Sequence, residues 1–160
     1  MGSGRSGIYY GTHGSRIIHH KALIHSLEGE YTNPSKKDIP IRLKSGGHGQ
    51  AAMDFMDKNS IKYNVVKTYK NGVRVGNIPN HKVKRKQIEI NQSWFPESWT
   101  QKDVVKAVEH VCGLKSNAHK SGAKILWGKY KGVWVGVYRT YGDVSIVFPD
   151  SNQSDKHRRR

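Results

Sequence analysis

Nine histidines are the main chemical resource of this 160-residue chain, and three have definite settings. His48 stands in "SGGHGQAAM", behind Gly46 and Gly47, where Ala52, Phe55 and Met56 then follow at helical spacing. A helix N-terminus presents free N–H groups and the positive end of the dipole. That field disfavours an imidazolium, and a neutral imidazole is a general base. The glycines either let the backbone approach a phosphate closely or simply form a loop beside an exposed His48. His25 lies in "IHSLEGE", where Gly29 ends an apolar segment, a setting that suits a half-buried helix histidine. His81, in "NIPNHKVKRK", opens a basic run and reads first as a solvated strand edge. His13, His19, His20, His110, His119 and His157 lie in polar contexts and read as solvated.

Two histidines and a lysine are enough for RNA cleavage without a metal. A base removes the 2′-OH proton, an acid protonates the leaving 5′-oxygen, and a cation stabilises charge growing on the phosphate. The competing chemistries lack their parts. A metal-dependent nuclease needs carboxylate ligands, and Asp plus Glu total only 12, several of them on helix surfaces. No HExxH, P-loop, GxGxxG or serine nucleophile elbow is present.

Charge agrees with a phosphate-bearing partner. Lys and Arg total 28, giving a formal net charge of +16, which implies nucleic acid, an acidic protein or a membrane surface. No apolar run approaches membrane-spanning length. Cys112 is the only cysteine, so no internal disulfide or cysteine-based zinc site forms, and it falls on the apolar face of a helix. "MGSGRSG" reads as an expression leader, residues 1–15 as a flexible lead-in, and residues 151–160, ending in "SDKHRRR", as a basic disordered tail.

Residues 16–150 must therefore position the chemistry as one domain. Residues 16–27 carry Ile17, Leu23, Ile24 and Leu27 at helical spacing, and a second helix runs from Gly49 to Lys58. Residues 32–44, with Pro34 and Pro40 among lysines, read as a loop. "IKYNVVKTY", Asn71-Gly72 and "VRVGNI" read as a hairpin, and "VKRKQIEI" as a further strand. Thr100 and Asp103 open a third helix with Val104, Ala107, Val108, Val111 and Cys112 on one face and Gly113 as its C′ residue. "KILWGKY", "GVWVGVYRTY" and "DVSIVFP" form a closing meander. The order is that of an α+β domain, with N-terminal helices, then antiparallel sheet around a central helix.

Three stretches together resemble the bacterial EndoU family of endoribonucleases. "IHSLEGE" is similar to its first histidine motif, H-x-x-x-G-E; "SGGHGQAAM" to its second; and "SWFPESWTQKDV" to its S-x-F-F-P-x-x-W segment. The closing "DVSIVFPD" looks like the family's terminal strand, usually T-x-Y-P. The resemblance covers about residues 20–150 and implies an EndoU or barnase-like ribonuclease fold. It implies metal-independent cleavage of RNA, with tRNA one expected target, to a 2′,3′-cyclic phosphate, using two histidines, a lysine and a Thr or Tyr on the last strand. No cofactor is implied.

Carried over, His25 is the general acid and His48 the general base. The lysine is Lys86, seven residues before Ser93, with Lys84 or His81 as alternatives near the substrate. The last strand departs from the pattern. Ile146 stands at the usual threonine and Phe148 at the usual tyrosine, so the hydroxyl falls to Ser145 if a bulge turns it, or to Tyr141. Phe148 still offers a face for a base. The resemblance further implies a monomeric toxin tip of a larger secreted or surface protein, acting in the cytoplasm of a target bacterium and held in check by an acidic immunity protein. A basic nucleic-acid-binding module without catalysis, or an interaction protein with an acidic partner, fits the charge as well. Neither needs paired histidines.

Overall fold

The computed structural model describes residues 7–12, 15–33, 36, 38–118, 120 and 124–158. It is an α+β structure built on two three-stranded antiparallel sheets, ordered β5-β6-β7 and β8-β9-β10, with two small two-stranded pairs, β1-β2 and β3-β4. The helices are α1 (His20–Glu28), α2 (Gln50–Lys58), α3 (Arg85–Ile88), α4 (Gln101–Gly113) and α5 (Asp155–Arg158). The strands are β1 (Tyr9–Tyr10), β2 (Ile18–His19), β3 (Glu30–Tyr31), β4 (Leu43–Ser45), β5 (Asn64–Thr68), β6 (Arg74–Asn77), β7 (Gln92–Trp94), β8 (Ile125–Tyr130), β9 (Val133–Thr140) and β10 (Asp143–Pro149).

The closing meander forms because its turns suit two-residue hairpins. Lys131-Gly132 and Tyr141-Gly142 all take positive φ, the conformation that matches strand twist. α4 packs on β8 and β9. Its start carries the capping box read from Thr100 and Asp103, with both reciprocal bonds formed. Its end differs from expectation. Gly113 stays helical, Leu114 turns extended, and the Asn117 amide donates to the Val111 carbonyl at 2.8 Å in place of a glycine cap.

Two apolar cores result. One joins α4 and the β8–β10 meander with Leu23 of α1 and Phe95. The other gathers Leu43, Ala52, Met53, Met56, Ile61, Ile78 and Trp94. The neighbours Trp94 and Phe95 thus enter different cores, and both are buried. Their packing, with Phe95 stacked on Trp99 at 5.2 Å, is what the aromatic "SWFPESW" stretch does.

Three further expectations are corrected. Residues 83–90 are not a strand. Lys84, Arg85, Lys86 and Gln87 are good helix formers, and they close the short turn of α3 through Lys86 N–H to Val83 O (3.0 Å) and Glu89 N–H to Arg85 O (3.0 Å). The lead-in is ordered where described: Tyr9–Tyr10 pairs with β2, and Thr12 holds Glu109 through both its N–H and its hydroxyl. "MGSGRS", His13 and His119 lie outside the described residues. The tail is also docked over residues 151–158, through hydrogen bonds of Gln153 and Asp155 to β8, β9 and the turn at Asn71.

Candidate active site

The glycines before His48 serve the end of α1. A helix leaves its last carbonyls without intrahelical partners. Here three consecutive ones, of His25, Ser26 and Leu27, accept from three consecutive N–H groups, of Gly47 (3.1 Å), His48 (2.6 Å) and Gly49 (3.0 Å). Gly46 and Gly47 take positive φ, and a Cβ on Gly46 would overlap the His25 carbonyl. The two histidine motifs are therefore one structural unit. Ser26 extends it to the last strand: its hydroxyl donates to Ala22 O and accepts from the Val147 N–H at 3.0 Å.

His48 is buried, and its Nδ1 lies 2.7 Å from the Ser93 carbonyl. A carbonyl only accepts, so Nδ1 carries the proton and Nε2 is the free acceptor. Ser93 in turn donates its hydroxyl to Pro149 O at 2.7 Å, locking β7 to β10. Burial, and then the charge of Lys86, lower the His48 pKa to about 3. His25 and His81 add smaller contributions to that lowering. The neutral imidazole expected from the helix dipole is thus present, with desolvation as its main cause.

Lys86, from the last turn of α3, faces the same cleft. Its ammonium donates to Gln92 Oε1 at 3.0 Å, and burial with the nearby Arg85 lowers its pKa to about 8. The fully buried Gln92 passes the link on. Its Nε2 donates to Gly46 O (3.3 Å) and Gly47 O (3.1 Å), so one side chain holds both the lysine and the loop that carries His48. His25 lies at the other side of that loop. Its Nδ1 is 2.7 Å from the Glu30 carboxylate, and Nε2 has no partner among the described residues. Glu30 fixes the ring's tautomer in the manner of a carboxylate–histidine pair.

The cleft is a cavity of about 420 Å³. Ile125, Trp127, Ile146 and Phe148 make an apolar wall, Arg85 and Asp150 add charge, and His157 adds an imidazole. Trp127 meets Phe148 edge-on at 5.6 Å, and Phe148 lies 5.8 Å from the His48 ring. The contact crosses Gly136 of β9, where a Cβ would strike both rings.

Of the residues singled out from sequence, His48, Lys86 and Phe148 line one cleft and His25 flanks its loop. The remainder lie elsewhere. A bulge does occur between Val144 and Ile146, but Ser145 does not line the cleft. Its hydroxyl donates to Tyr138 O at 3.0 Å and accepts from Thr140 at 3.1 Å. Tyr141 is 93% exposed in the β9–β10 turn. Lys84 is exposed at the start of α3. His81 is wholly buried rather than a solvated strand edge, because its Nδ1 accepts from Val83 N–H and its carbonyl holds Arg42 and Gln87. Sequence reasoning missed Gln92, Arg85, Trp127, Asp150 and His157. Only Glu30 carried a signal, as the acidic end of "HSLEGE".

Among the described residues no group of three or more His, Cys, Asp or Glu could hold a metal ion, and no helix is long and apolar enough to cross a membrane. No curated protein and no solved structure matches the chain. A family model for the bacterial EndoU nuclease matches residues 19–151, from the first residue before α1 to just past β10. That stretch holds both histidine motifs, Lys86 and the aromatic wall, and the chain belongs to the bacterial EndoU nuclease family.

Proposed function

We propose that this nuclease is an endoribonuclease that needs no metal and leaves 2′,3′-cyclic phosphate and 5′-hydroxyl ends. The observation that carries the reading is His48 held neutral, with Nδ1 fixed on Ser93 and Nε2 left as acceptor, in a cleft shared with Lys86. His48 Nε2 takes the 2′-OH proton as the 2′-oxygen attacks phosphorus. The P–O5′ bond breaks, and His25 gives a proton to the departing oxygen. Lys86, partly stripped of water, stabilises charge on the non-bridging oxygens. Without a bound phosphodiester His48, with its pKa lowered to about 3, is a weak base. A bound phosphodiester brings negative charge that offsets Lys86 and raises its basicity. The nucleobase beside the scissile phosphate lies against Phe148 and Trp127.

The reading extends to a toxin domain delivered into a target bacterium, with tRNA among its substrates and an acidic immunity protein covering the basic cleft. The +16 charge favours rapid association with either partner. Incubating the protein with tRNA and total RNA in EDTA tests the chemistry. Cleavage with cyclic phosphate ends is expected, and His48→Ala should lower the rate by about 10² to 10⁴. Intact RNA in EDTA, or full activity in His48→Ala, would remove the mechanism.

A further inference from the structure

Residues 152–158 lie beyond the stretch matched by the family model, yet one of them, His157, lines the cleft. They are pinned there. Gln153 accepts from the Trp134 N–H (2.8 Å) and the Asn71 amide (2.9 Å), and donates to Trp134 O and Asp150 O. Asp155 accepts from the Trp134 indole (2.8 Å) and from Lys129 (2.9 Å), and Tyr69 donates to Ser151 O. This bracing delivers His157 to the cleft, which Arg85 also lines.

The Arg85 guanidinium has no side-chain partner among the described residues. His157 Nε2 is 3.8 Å from Asp150 Oδ2, an ion pair when the imidazole is protonated but too long for a hydrogen bond. Among the described residues Asp150 is the only acidic one lining the cleft. Its side chain is 4% exposed against 40% for His157, so an entering anion meets the imidazole first. A guanidinium presents a fork of N–H donors that fits a phosphate, and an imidazole adds one more donor.

We propose that Arg85 and His157 form a second phosphate subsite, which takes the RNA phosphate next to the scissile one. The site then grips a strand rather than a dinucleotide, and the C-terminal segment is part of the substrate groove. This rests on the ribonuclease reading for the identity of the strand, but it is tested without cleavage.

The probe is a fluorescent oligonucleotide with 2′-deoxyribose at the scissile position, so that it binds and is not cut. In one version the neighbouring phosphate is a neutral methylphosphonate, and in another the scissile phosphate is. Anisotropy titrations compare the native full-length chain with Arg85→Gln/His157→Asn. In the native chain, neutralising the neighbouring phosphate should weaken binding about three- to tenfold, the size of a solvent-screened charge-assisted contact. In the double variant the same change should cost less than about twofold, because the contact is already gone. Neutralising the scissile phosphate should cost both proteins alike. Equal sensitivity of the two proteins to the neighbouring methylphosphonate, or none in the native chain, would overturn the subsite. Such a result would leave the EDTA cleavage test unaffected.

Discussion

Replacing Gly46 with alanine tests whether the glycine pair exists to dock the His48 loop on α1. Gly46 sits at φ 69°, and an added Cβ would overlap the His25 carbonyl, a backbone atom that cannot swing aside. Gly132, at φ 78° with nothing near an added Cβ, is the control. Positive φ costs an L-residue about 1–2 kcal/mol at either position. At Gly46 the loop must also lift away. That endangers the Gly47–His25 and His48–Ser26 hydrogen bonds, each worth about 0.5–1.5 kcal/mol net. The expected losses are about 2–5 kcal/mol for Gly46→Ala and about 1–2 kcal/mol for Gly132→Ala. Urea unfolding at neutral pH measures both, and RNA cleavage by the fraction that remains folded reports the site. Gly46→Ala should cut that activity sharply, because Gln92 and both histidines are tied to the moved loop. Equal destabilisation by the two substitutions, with activity kept, would refute the docking argument.

Stability should fall as pH drops from about 6.5 towards 4, because His48 (about 3) and His81 (about 4) stay neutral in the fold while the unfolded chain protonates near 6.5. Urea midpoints across that window check it, and His81→Asn should flatten the slope. Lys86 acts in the opposite range. Its folded pKa of about 8 lies below the unfolded 10.5, so its contribution to stability rises with pH between them, while cleavage declines above about pH 8 as the cation is lost. Gln92→Leu should free Lys86 and the Gly46–Gly47 carbonyls together. Its cleavage profile should lose its alkaline limb's position as well as rate, which a purely structural defect would not do. Ser145→Ala should leave cleavage within about twofold, since its hydroxyl serves Tyr138 and Thr140; a large loss would restore it to the site.

The fold was legible where local chemistry is strong. The capping box at Thr100, the α4 stripe and the β8–β10 meander follow from spacing alone. The segment 83–90 was not, because alternating Ile88 and Ile90 mimic a strand although no sheet buries them. His48 could be read as neutral from its place before a helix, but its tie to Ser93 and its burial arise from residues 45 positions away. Gln92 looks like an ordinary strand polar residue until Lys86 and the glycine loop are seen around it. Arg85 and His157, 72 positions apart, line one cleft, and the bracing of the C-terminal segment is what brings His157 there.

Trp94 and Phe95, adjacent in the chain, anchor separate cores. Between those cores lie the Ser93 links to His48 and Pro149. The first core holds Val144 and Val147 of β10, so a chain in which only the second core had formed would lack the apolar wall of the cleft. Nuclease activity is therefore expected only from a chain whose two cores have both closed on the seam at residue 93.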